Sequence, residues 1–294
     1  MAEARLALRP AAAEPATVLS LLIVAALAAF VLAGPILLAW QGLDGNAVDL
    51  LARLEPPSAA HPLGTDELGR DVLARLIQGG RISLAVGLAG ALLAAAIGTA
   101  IGLVAGYLGS AVDALLMRLT DMVISLPLLP LLIVLAAVDL GKLGLPVQGE
   151  LAGVVRIVIL MALFGWTTTA RLVRASVLSL RTREFVRAAQ AMGAGPARIL
   201  VRHILPNAAG PLIVATTLAI GNVILVESVL SFLGLGVQPP VASWGNMLTG
   251  AQELLFEAPR LAVWPGVLIF LSVLAFNLLG DGLQSYLDPR RLRR

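Results

Sequence analysis

SLAVGLAGALLAAAIGTAIGLVAGY, residues 83–107, contains no charged side chain. A helix needs about 20 apolar residues to cross a hydrocarbon core, so this stretch is long enough to do so. Helix is the only fitting conformation, because lipid offers no partner for an unsatisfied N–H or C=O and the stretch lacks the alternating polar pattern of a barrel strand. Gly98, Gly102 and Gly106 recur every four residues along it. In membranes such a small-x3-small ladder brings two helices into close contact.

The rest of the chain repeats this pattern. Of its 294 residues 59% are hydrophobic and 13% charged, about half the charged share of a soluble domain. Mean hydropathy is +0.92. Five further stretches could span: Thr17–Trp40, Leu115–Val138, Gly153–Leu172, Ala208–Leu230 and Leu261–Leu283. The first follows Arg5 and Arg9 and contains the small run Ala26–Ala28, as a signal peptide would. Its apolar run outlasts an h-region of about 7–15 residues, which points to a retained anchor. The expected fold class is therefore all-α, a polytopic membrane protein of six transmembrane helices.

Arginine sets the expected orientation. Six spans place both termini on one side, and the segments on that side hold 14 of the 21 Lys and Arg residues. The positive-inside rule makes that side cytoplasmic. Gln41–Ile82 and Ser231–Arg260 are then external. Within the former, Leu68, Val72, Leu73, Leu76 and Ile77 recur at helical spacing, so Asp66–Ile82 reads as an amphipathic interfacial helix. The chain divides into residues 1–82 (tail, first helix and external interfacial segment) and a five-helix core, residues 83–294, with a cytoplasmic loop at 173–207.

That loop contains REFVRAAQAMGAGPARILVRHILP, residues 183–206. Glu184–Met192 favours helix, Gly193 suits a left-handed helix stop, and Pro196 suits the first turn of a new helix. Two short helices with a tight elbow follow, the second expected along the membrane surface. Ala188 and Ala189 would leave a smooth face for another protein's groove. A merely solvated, positive-inside loop would explain the arginines but not the ordered helix-Gly-Pro-helix pattern.

Ala188-Ala189-x3-Gly193 followed by Leu205-Pro206 resembles the loop by which permeases of ATP-binding-cassette importers engage their ATPase. Arg187 stands where that motif has Glu, and His203 where Ile is usual. HPLGTDELGRDVLARL (61–76) with RISL (81–84), ESVLSFLGLGVQPP (227–240) with SWG (243–245), and NLLGDG (277–282) with LDPR (287–290) are similar to the C-type permease of dipeptide, oligopeptide and nickel importers. The resemblance implies a type I importer-like core in the inner (plasma) membrane, surrounded by lipid. It implies partners: a second permease in a heterodimer, two ATPase subunits carrying ATP and Mg, and an external substrate-binding protein. Peptide is the implied cargo, with nickel chelate, glutathione or another small solute as alternatives. It assigns ATPase coupling to Glu184, Ala188, Ala189, Gly193, Leu205 and Pro206, and binding-protein docking to Gln238, Pro239 and Trp244.

Other chemistry is poorly supplied. A P-loop needs Gly-x4-Gly-Lys-Ser/Thr, and the one lysine, Lys142, lies in no such sequence, so ATP hydrolysis is expected from partners and no cofactor on this chain. Neither His-Glu-x2-His nor Gly-x-Ser-x-Gly occurs, which removes the common zinc-protease and serine-hydrolase motifs. A secondary transporter would be expected to show related halves and a polar midplane site, and neither is evident. No metal site, catalytic residue or nucleic-acid surface is expected. His61 with Asp66 and Asp71 admits a cation site or a structural cluster, and the His-Pro helix start favours the second. Glu227 and Asn222 are candidates for the pathway or its gate, since ionisable groups within spans are costly. Asp121 and Asp281 fall near the cytoplasmic edge, where a structural role is expected.

Overall fold

The computed structural model describes residues 15–138 and 151–287. Most of them lie in ten α-helices: α1 Pro15–Gln41, α2 Val72–Leu108, α3 Ser110–Ser125, α4 Leu128–Ala136, α5 Ala152–Leu180, α6 Glu184–Ala191, α7 Pro196–Ile199, α8 Leu205–Phe232, α9 Trp244–Glu253 and α10 Arg260–Leu287. Five helical stretches are long and apolar enough to cross a membrane, and α3 with α4 makes a sixth when the bent pair counts as one span. The all-α reading therefore holds, with four local corrections.

The first correction concerns Asp66–Ile82, which is not an interfacial amphipathic helix. Asp66 Oδ1 accepts the amides of Leu68 (2.8 Å) and Arg70 (2.9 Å), which folds this stretch into a turn. Asp71 then caps α2, accepting Ala74 N–H at 2.7 Å. From Val72 the helix runs unbroken to Leu108, through the division expected at 82/83. Val72, Ala74, Arg75, Leu76 and Ile77 are all buried, so both faces are covered by protein rather than shared with a membrane surface.

Second, the span expected over Leu115–Val138 is broken. Pro127 has no N–H to give and biases Leu126 to extended backbone (φ −76°, ψ 137°), so α3 stops there and α4 leaves at 83°. Third, α5 continues eight residues beyond the expected end at Leu172, which shortens the loop. Fourth, the second short helix of that loop is not a separate element. α7 passes through a π-helical turn, Leu200–Ile204, directly into α8. Pro206 explains the turn. It cannot donate to the carbonyl of Arg202 and its ring crowds that oxygen, so the helix widens, with Leu205 N–H reaching back to Leu200 O.

The glycine ladder on α2 meets α5 as its spacing predicts. A Cβ on Gly102 would lie 2.6 Å from the carbonyl oxygen of Ala170 and 2.8 Å from Val173 Cβ; one on Gly106 would lie 2.7 Å from Val177 Cβ. Gly98 faces the backbone of Trp166 in the same way. The two helices thus touch backbone to side-chain base over two turns. Around this pair, Val86, Ile157, Met161, Val223 and Ile224 build one core among α2, α5 and α8. A second core joins α1, α2, α9 and α10 around Trp244, Leu76 and Leu261.

Candidate functional site

At the end of the bundle carrying α6, the elbow is a complete helix stop. Gly193 N–H donates to Gln190 O (2.9 Å) and Ala194 N–H to Ala189 O (3.0 Å), the paired bonds of a Schellman motif. Gly193 takes φ +80°, the left-handed value the motif needs, and Pro196 opens α7. Val186 and Ala189 point inward, while Glu184, Phe185, Ala188 and Met192 are exposed, Met192 by 81%. The smooth face thus consists of Ala188 with Phe185 and Met192. Ala189, expected on that face, belongs to the inner one. Leu205 is half-buried and Pro206 exposed at the start of α8, where Asn207 Nδ2 donates to the His203 carbonyl at 2.6 Å.

The inner face of this elbow is fixed to the long helices. Val186, Ile199 and Ile204 pack with Val173 and Val177 of α5, and Leu103 and Tyr107 of α2 join them. Two arginines add directed bonds. Arg174 meets Asp113 of α3 at 2.5 and 2.6 Å, and Arg181 donates to Gly106 O at 2.9 Å. Arg181 therefore braces the end of α5 against α2, although its place in an arginine-rich loop reads as solvated. Asp121 pairs with Arg171 at 2.5 Å, and Asp281 is exposed.

Between α5, α8 and α10 lies an open cavity of about 760 Å³. Phe164 and Leu218 supply apolar wall, and Thr167, Thr168, Asn222 and Gln284 supply neutral polar groups. None of its lining residues is charged. Asn222 is thus part of the cavity wall. Glu227 does not line the cavity: it is fully buried five residues further along α8 and accepts hydroxyl bonds from Ser83 and Ser231.

At the opposite end of the bundle Gln238 and Pro239 are exposed, but Trp244 is not. Its indole N–H donates to Leu76 O at 2.9 Å and its ring packs over Gly80, so it belongs to the core and not to a docking surface. His61 Nδ1 lies 3.0 Å from Asp71 Oδ2, while Asp66 is taken by Arg70 (2.7 Å). These groups serve the turn before α2, and the described residues contain no set of three or more His, Cys, Asp or Glu placed for a metal. The sequence reading missed Ser83 and Ser231; Ser231 carries a local signal, four residues after Glu227 on the same helix, whereas Ser83 comes from α2 and carries none. It also missed α9, which a capping box of Ser243 with Asn246 announces.

Long apolar helices around an uncharged open cavity, with a rigid elbow fixed to one end, define a multi-pass membrane permease. The chain belongs to the binding-protein-dependent transport system inner membrane component family, whose model matches residues 98–293. It is a permease subunit of an ATP-binding-cassette importer of the inner membrane, a family that works with ATPase and substrate-binding-protein partners. It is 42% identical to a protein of Brucella suis biovar 1 (strain 1330) named as a peptide permease, over 90% of this chain and 87% of that one. It is 41% identical to the nickel transport system permease protein NikC of Escherichia coli (strain K12), over 85% and 86% of the two chains. With the dipeptide transport system permease protein DppC of Alkalihalophilus pseudofirmus it shares 38% identity over 81% and 75%.

Proposed function

We propose that this permease carries short peptides from an external binding protein to the cytoplasm, driven by separate ATPase subunits that grip the exposed face of α6. The observation that carries the reading is the elbow: one face of α6 is buried in a cluster with α5, α7 and the π-helical turn that leads into α8, and the other offers Phe185, Ala188 and Met192 to a partner. A push on α6 therefore reaches the helices that line the cavity. The arginine distribution supports a cytoplasmic location for this end and for both termini. ATP and Mg belong to the partners, because the sequence has no P-loop to hold them.

Pairing with a second, different permease agrees with α3, where Leu115 and Met122 are more than 60% exposed, and with a cavity that this chain leaves open. Peptide as cargo agrees with the neutral cavity wall: a path without fixed charge penalises neither acidic nor basic side chains, and hydroxyl and amide groups match a peptide backbone. The Brucella suis and Alkalihalophilus pseudofirmus relatives support the same cargo. Nickel chelate is the second reading, favoured by the likeness to the nickel permease.

The test is uptake into proteoliposomes holding the whole importer with its binding protein. Labelled dipeptide should enter with ATP and stop when the ATPase subunits are omitted. Uptake of a nickel chelate with no dipeptide uptake would replace the cargo, and ATP hydrolysis by the purified chain alone would refute the division of labour.

A further inference from the structure

Glu227 is 0% exposed, and none of the ion pairs among the described residues includes it. A buried carboxylate without a cation is costly, so what it holds in place needs explaining. Three hydroxyls reach it: Ser228, whose shorter bond goes to Ile224 O (2.8 Å), lies 3.4 Å from Oε2, and two others bind it more closely. Ser83 of α2 donates to Oε2 at 3.0 Å, and Ser231 of α8 donates to Oε1 at 2.8 Å. Each hydroxyl accepts a backbone N–H in turn: Trp244 N–H reaches Ser83 Oγ at 3.2 Å, and Val237 N–H reaches Ser231 Oγ at 3.0 Å. The carboxylate therefore ends two relays, from amide through hydroxyl to oxygen.

The outer ends of these relays are residues 237 and 244. They bracket the segment that exposes Gln238, Pro239 and Pro240. Asn246 closes the bracket from α9, donating through Nδ2 to Val237 O (3.1 Å) and Val241 O (2.8 Å). The fit leaves no slack: a Cβ on Gly245 would lie 2.6 Å from Ser228 Cα and O. Four and five residues before Glu227 on the same helix, Val223 and Asn222 line the cavity.

We propose that Glu227 is a positioning residue for cargo delivery: through Ser83 and Ser231 it fixes residues 237–244 to α2 and α8, so that Gln238–Pro240 meets the external binding protein as one rigid tip. It acts through the segment and touches no cargo. The proposal rests on the importer reading, in which this end of the bundle receives the binding protein.

The experiment uses the whole importer in proteoliposomes and follows ATP hydrolysis against the concentration of cargo-loaded binding protein. Ser231→Ala and Ser83→Ala each cut one relay, and loss of one such bond should raise the half-saturating concentration about five- to tenfold with little change in the maximal rate. Glu227→Ala cuts both and should raise it further, with Glu227→Gln between. In the Glu227→Ala background, Ser231→Ala should add less than about twofold, because its relay is already gone. Glu253→Gln, exposed on α9, should match wild type. Amide hydrogen exchange over residues 237–244 should rise in Ser231→Ala, a readout that survives if Glu227→Ala fails to assemble. Unchanged half-saturation and exchange in the serine variants would overturn the proposal, as would a fall in maximal rate alone, which would make Glu227 part of the transport cycle itself. If binding protein fails to stimulate even the wild type, the docking reading beneath the proposal falls with it.

Discussion

Gly102→Leu should remove the folded permease from the membrane. A Cβ there would lie 2.6 Å from Ala170 O and 3.0 Å from Arg174 N, both backbone atoms of α5 that cannot rotate away. The helices would have to separate along the whole ladder, opening the contacts at Gly98 and Gly106 as well. Overpacking costs about 1–3 kcal/mol and occasionally more, and a clash against backbone belongs at the upper end of that range. Since lipid is as apolar as the side chains, close packing is what holds two such helices together, and little else replaces it. The purified complex should melt at a clearly lower temperature or fail to form. Gly266→Ala on α10, where a Cβ meets nothing within 4 Å, is the comparison and should leave melting unchanged. Equal stability of Gly102→Leu and wild type would show that α2 and α5 are not held as described.

Gly193→Val should leave the protein in the membrane but uncouple it. Nothing lies within 4 Å of a Cβ at Gly193, so the effect is purely one of backbone conformation. At φ +80° a β-branched residue carries strain of about 1–3 kcal/mol, enough to shift the ordered fraction of the elbow roughly tenfold. The Schellman bonds of Gly193 and Ala194 would open, and α6 would tilt or fray. The long helices do not depend on those bonds, so surface expression should stay normal while transport and binding-protein-stimulated ATP hydrolysis fall together. Gly193→Asn, which tolerates the left-handed region, should retain most activity. Normal coupling in Gly193→Val would reduce the segment to a tether.

The long helices could be located from the sequence because a span has one dominant requirement, length without charge. Gly193 and Pro196 were equally legible, since each answers a local backbone demand. What escaped was decided by tertiary contact. Arg181 reads as solvated until Gly106 O is found beside it. Trp244 reads as an exposed aromatic in a Gly- and Pro-rich segment, yet Leu76 O and the gap above Gly80 bury it. Ala188 and Ala189 are indistinguishable as letters; only the packing of Val186 and Ile199 decides which of the two faces outward. The helical spacing held for residues 72–77, where it marks a buried helix start and not a membrane surface, while Leu68 lies exposed in the turn before it.

The central claim is that α6 is the surface through which a separate ATPase drives this permease. A photo-activatable side chain placed at Ala188 in the assembled importer measures it directly, with the same group at Phe256, 99% exposed at the opposite end of the bundle, as the reference. Position 188 is expected to capture an ATPase subunit and position 256 none. Capture from 256 with none from 188 would contradict both the orientation and the coupling face.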